Sequence, residues 1–207
     1  MTRSRQQLAQ LERLLRQCLN NACAANRIYR TAISCARSSR LRDLWQSCLV
    51  AVEIQRRVCL EVLMRLGLDA HDSRVRGADS VVIATDLISA VQAASSLSDA
   101  GNLELIAAEA VMLMEAKIQM NAELIGYIAA YGSAAHLPQL RDACPVLLAL
   151  RLHQQMFHTR EWVRELWLES IGFAALLPPP ATGSIGIAES LVEAKGLASA
   201  TLIGAAA

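Results

Sequence analysis

From Ser4 to Ala36 the chain runs without one glycine or proline, and its apolar residues return every three or four positions. Leu8, Leu11, Leu15, Cys18 and Leu19, Ala22, Ile28 and Tyr29, then Ala32 and Ile33 fall on one side of a 3.6-residue spiral. The pattern predicts a single helix of roughly 45–50 Å. Such a helix cannot bury its stripe alone, so it demands neighbours. Ser38 and Ser39 follow, an N-cap signal. A second stripe then runs through Leu41, Leu44 and Trp45, Cys48 and Leu49, Val52, Cys59, Val62 and Leu63, and Leu66. Gly67 stands where a left-handed C-terminal cap belongs. A link this short predicts two antiparallel helices side by side.

Residues 67–77 are polar and turn-like, and a shorter helix is expected over about 79–98. Asp99 to Asn102 breaks the chain, with Asn102 the expected N-cap of a long helix reaching Tyr131. A last long helix starts near Pro138, kinks or restarts at Pro145, and ends at Ile171 and Gly172. The triple proline at 178–180 forbids continuation. The expected fold is therefore all-α. It consists of two helical hairpins joined by a long crossover with a short extra helix, the connectivity of a ferritin-like four-helix bundle. Residues 1–177 form the bundle and residues 178–207 a proline-led apolar tail.

Composition agrees with helices. The chain is 54% hydrophobic but only 4% aromatic, so its core is built from Leu, Ile, Val, Ala, Cys and Met. Charge is unevenly spread. Residues 1–66 carry 12 Lys and Arg against 4 acids, and residues 67–207 carry 8 against 15. The basic half either faces the acidic half of the same or a neighbouring subunit, or meets an anionic surface. Arginines dispersed among apolar residues favour the first reading over nucleic acid. The opening residues Met1 to Gln7 are charged and polar, unlike a secretory signal. The longest apolar run, residues 143–150, falls well short of the roughly 20 residues a membrane span requires. The expected location is cytoplasmic, and there the six cysteines serve as small reduced hydrophobes. None is spaced as CxxC or CxxxC, so no zinc or copper cage is signalled.

Three segments resemble bacterial ferritin-like and rubrerythrin-like proteins: residues 41–58 (LRDLWQSCLVAVEIQRRV), 107–125 (AAEAVMLMEAKIQMNAELI) and the run from His153 to Pro180. Together they cover under half of the chain. The resemblance implies a bundle in which two metal ions are held by inward carboxylates and imidazoles. A di-iron site takes a Glu from each of two helices and a Glu-x-x-His from each of the others. No Glu in this chain is followed three residues later by His. Gln119, Gln154 and Gln155 stand where the related proteins carry acids and His, and glutamine is a neutral, poor ligand. The expectation is a degenerate site with no resident metal and no catalytic residue. The alternative is a di-iron or di-manganese oxidase or iron-handling protein using Glu53, Glu109, Glu115 and His153.

Of the remaining candidates, Glu115 lies among Met112, Met114 and Ile118 and is expected to point inward toward Arg56 or Arg151, or else to sit on a solvated face. His153 and His158 are five apart, about 140° round a helix, so they cannot share a metal. Trp162 and Trp167 diverge for the same reason and fit core or dimer-interface packing rather than base stacking. In the tail, residues 190–207 (SLVEAKGLASATLIGAAA) resemble the opening strand and helix turn of bacterial microcompartment shell subunits, through Glu193, Lys195, Gly196, Leu197 and Ala200. That likeness implies a docking peptide for a protein shell or assembly. The sequence thus points to a non-catalytic structural or interaction module that self-associates as a homodimer or larger homo-oligomer.

Overall fold

The computed structural model describes residues 3–69, 78–97, 100–131, 138, 140–142 and 152–173. It is all-α, and among the described residues there is no strand. Among the described residues the helices are α1 (Arg3–Cys35), α2 (Ser39–Arg65), α3 (Ala78–Leu97), α4 (Ala100–Tyr131) and α5 (Leu152–Ser170). No helix among the described residues is long and apolar enough to cross a membrane.

The boundaries follow local chemistry. Ser38, in an extended conformation, accepts a hydrogen bond from the Leu41 amide and caps α2. At the other end of α2, Gly67 adopts φ +70°, the Gly67 amide donates to the Met64 carbonyl and the Leu68 amide to the Leu63 carbonyl. These two bonds make a Schellman close, which needs a residue without Cβ at the left-handed position. Gly172 closes α5 in the same way, at φ +83° with the Phe173 amide donating to the Leu168 carbonyl. One boundary differs from the sequence reading. Helix α4 begins at Ala100, two residues before the expected cap Asn102. The first four amides of a helix have no intrahelical partner, so Gly101 and Asn102 are tolerated inside the first turn. Of the expected last helix, Pro145, where a kink or restart was expected, lies outside the described residues, and the helix described there is α5.

Side-chain contacts fix the directions. Cys18 meets Cys59 and Tyr29 meets Cys48, so α1 and α2 are antiparallel. Glu104 reaches the end of α1 at Arg37 while Glu115 reaches Tyr29, so α4 is antiparallel to α1. Thr159 meets Glu115 and Trp167 meets Glu109, so α5 is antiparallel to α4. Helices α1 and α5 therefore run one way, α2 and α4 the other. Helix α1 packs against α2 and α4, α4 packs against α5, and α3 lies against both α1 and α4. Leu15, Tyr29, Leu41, Trp45, Leu63, Val111 and Ile125 are wholly buried between them.

Four of the twelve arginines in residues 1–66 are paired with acids of their own helix. Arg16 pairs with Glu12 at 2.7 Å, Arg56 and Arg57 both pair with Glu53, and Arg65 pairs with Glu61, each within one helix. Arg65 also comes within 4.0 Å of Asp142, a contact between the basic and acidic halves.

Candidate functional site

Four helices each send one polar side chain to the same point in the bundle core. Tyr29 of α1 donates its hydroxyl proton to Glu115 Oε1 of α4 at 2.5 Å, and Thr159 of α5 donates to the same oxygen at 3.0 Å. Cys48 of α2 lies beside the Tyr29 hydroxyl and Glu115. All four residues are buried.

Helical phase explains the convergence. Glu115 follows Val111 by four residues and precedes Ile118 by three, so it lies on the face those residues bury. Tyr29 shares the inward stripe of Ala25, Ile28 and Ala32, and Thr159 precedes the buried Val163 by four residues. The node is thus built from the same periodicity that builds the core.

Burial decides its electrostatics. Desolvation pushes the Glu115 carboxyl from its ordinary 4.5 up to about 7, although the two hydroxyl bonds pull the other way. Burial likewise pushes the Tyr29 phenol and the Cys48 thiol well up, with the Glu115 charge adding to both. Glu115 Oε2 makes no hydrogen bond, so it is the oxygen that carries the proton when the acid is neutral. The Cys48 thiol is not poised as a nucleophile, because its thiolate is disfavoured by burial and by a nearby carboxylate.

Other buried polar side chains lie along the bundle. Asn21, Gln55 and Asn121 are almost wholly buried, and Asn21 Oδ1 and Nδ2, Gln55 Oε1, Asn121 Nδ2 and Trp45 Nε1 make no hydrogen bond. Cys18 of α1 and Cys59 of α2 lie side by side, and that proximity together with burial pushes the Cys18 thiol well up. None of the five described cysteines is in a disulfide.

The sequence candidates separate rather than converge. Of the two readings left open for Glu115, the inward one holds, but its partners are hydroxyls instead of Arg56, and Arg151 lies outside the described residues. A neutral acid needs no cation, which is why hydroxyl partners suffice. Glu53 faces outward and accepts from Arg56 at 2.8 and 3.0 Å, a bond that draws its carboxyl below the ordinary range. Glu109 accepts from the Trp167 indole at 2.7 Å, on the outer side of α4 and α5. Gln119 donates to Glu123 at 2.8 Å on the surface of α4. His153 lies in α5, but its side chain is outside the description, as are those of Gln154 and Gln155. His158 is half-buried and edge-on to Phe157, and burial lowers its pKa. Trp162 packs half-buried against the core, whereas Trp167 is half-exposed. Glu193, Lys195, Gly196 and Leu197 lie outside the described residues, with His71, His136 and Cys144.

Among the described residues, no group of three or more His, Cys, Asp or Glu side chains is placed to hold a metal ion. The sequence reading missed Tyr29, Cys48 and Thr159 as partners of Glu115. Their signal was present: each is a hydroxyl or thiol on the inward phase of an otherwise apolar stripe, and most such groups are buried beside a polar partner. The chain matches no family model, no curated protein and no solved structure.

Proposed function

We propose that the chain is a non-catalytic helical bundle of ferritin-like connectivity, acting as a structural or interaction module. One observation carries this reading. The carboxyl at the centre of the bundle, Glu115, is engaged by the Tyr29 and Thr159 hydroxyls, while Glu53 and Glu109 are engaged on outer faces by Arg56 and Trp167. Metal ligation at mid-bundle takes several ionised carboxylates from different helices, because two bridged cations must be neutralised as well as bound. A carboxyl held near neutrality between two hydroxyls serves instead as a hydrogen-bonding staple between α1, α4 and α5. The direction of the helices, with α2 parallel to α4 and α3 between them in the chain, supports the ferritin-like connectivity. The tail residues Glu193 to Leu197 supply the second half of the proposal, a docking peptide for a protein shell or assembly.

Elemental analysis of the purified full-length chain tests the reading. The expected result is less than one tightly held transition metal per chain after dialysis. Two irons or manganeses per chain, lost in Glu115→Ala, establish the oxidase alternative instead.

A further inference from the structure

We propose that the outward face of α4 is a helix-pairing seam that binds a second copy of this chain, antiparallel, about a two-fold axis at the height of Ala122. The inference rests on the interaction-module reading and names its partner and its surface.

Helix α4 is apolar on both sides. Its inner side buries Ala107, Val111, Met114, Ile118 and Ile125. Its outer side exposes Leu113 (55%), Met120 (52%), Leu124 (45%), Tyr127 (63%) and Tyr131 (82%). These positions step by seven, four, three and four residues, with the half-buried Lys117 midway between Leu113 and Met120, the alternation of a coiled-coil seam. The row extends about 27 Å along the helix. The rings of Tyr127 and Tyr131 already stack, with centroids 6.1 Å apart, which pre-orders one end of the seam. The Trp167 indole, fixed to Glu109, extends the same outer face onto α5. By contrast, the outward charges of α2 are paired within the helix at Glu53 and Glu61.

The spacing and the chemistry of the row choose the occupant. Knobs set every 3.5 residues fit the holes of another helix, and a helix with the same repeat is this one. A two-fold axis makes the contact isologous, so the pair closes without growing into a fibre. Direction follows from Lys117. A parallel, in-register pair sets Lys117 against its own copy, a like-charge contact in a desolvating seam. An antiparallel pair centred on Ala122 sets Lys117 of one copy over the Tyr127 ring of the other, a cation–π contact. It also places Leu113 opposite Tyr131 and Met120 opposite Leu124, large against smaller at each end and matched near the axis. The five apolar side chains amount to about 600 Å² per subunit at ordinary side-chain areas. The resulting total, about 1,200 Å², reaches the lower bound of specific stable interfaces.

Sedimentation velocity on the full-length chain over a wide concentration range tests the proposal, with Leu124→Glu and Leu113→Glu as variants and Met64→Glu, exposed on α2, as the control. The expected result is a wild-type dimer, an unchanged dimer in the control, and at least a hundred-fold weaker association in Leu124→Glu with its helical circular dichroism intact. A second measurement replaces Tyr127 by photo-reactive benzoylphenylalanine and maps the cross-link, expected near Lys117 of the other copy. A wild-type monomer at every concentration overturns the proposal, as does a dimer that survives both seam variants. A cross-link from 127 to 127 overturns the antiparallel direction. A monomer whose C-terminal tail becomes protease-sensitive only in Leu124→Glu overturns it in favour of the tail as occupant. None of these outcomes bears on the metal content, which decides the broader reading separately.

Discussion

Helices α2 and α4 run parallel through the same bundle and bury comparable apolar faces, yet they present opposite chemistry outward. On α2 the outer side carries Glu53 with Arg56 and Arg57, and Glu61 with Arg65. On α4 it carries Leu113, Met120, Leu124, Tyr127 and Tyr131. The inner sides follow from the need to bury a core, so they resemble each other. The outer sides are under no such constraint, and the difference there separates a helix finished by water from one finished by another surface.

That contrast can be broken from the inside first. Trp45→Ala on α2 removes a wholly buried indole and is expected to cost about 3–5 kcal/mol in urea unfolding. Leu113→Ala on the outer side of α4 is expected to cost under about 0.5 kcal/mol in the dissociated chain. A comparable loss from both substitutions removes the distinction between the two faces.

The next largest effect belongs to Glu115. Its carboxyl binds a proton more tightly folded than unfolded, since burial raises it from 4.5 to about 7. Stability from this group is therefore fully present below about pH 4.5 and is lost as pH rises through about 7, amounting to about 3 kcal/mol in all. Glu115→Gln keeps an acceptor for the Tyr29 and Thr159 hydroxyls and cannot ionise. Urea titrations between pH 5 and pH 8 are expected to show the wild type losing stability relative to this variant. Parallel curves for the two proteins across that range remove the buried neutral acid from the account.

Smaller effects sharpen the comparison along α2. Ser38→Ala removes the acceptor for the Leu41 amide and is expected to cost about 1 kcal/mol, read from thermal unfolding. Glu53→Gln breaks the partly exposed pairs to Arg56 and Arg57 and is expected to cost about 0.5 kcal/mol or less, an effect that fades further with added salt. A cost above 2 kcal/mol from Glu53→Gln gives this carboxylate a role beyond its own helix.

The helices were legible in the sequence because period, caps and breakers agree. Ser38 and Gly67 bound α2 where the residue types place them, and the absence of Gly and Pro from Ser4 to Ala36 left α1 no place to stop. The start of α4 was less legible, since Asn102 offers a cap that the chain does not need once Ala100 and Gly101 can turn helically. At the core, the sequence left Glu115 open between an inward and a solvated position, and packing places it on the buried face of Val111 and Ile118. Its partners were not readable, because that requires the relative heights of three helices, which periodicity within one helix does not carry. The exposed row on α4 was hidden for the opposite reason. A helix apolar all round reads as deeply buried, and only packing shows which side is left open.

Glu104 adds a consequence for how the chain comes together. Its buried carboxylate accepts the backbone amides of Arg37 and Ser38, at 2.8 and 3.0 Å, where α1 turns into α2. A negative group there complements the positive end of α2, but it arrives from a segment made much later. During synthesis the leading hairpin can coil and pair with Ser38 capping α2, yet the Arg37 and Ser38 amides are left to water until residue 104 has been made. Completion of the first turn therefore waits on the second half of the polypeptide, and a truncated product ending before α4 is expected to fray at that corner first.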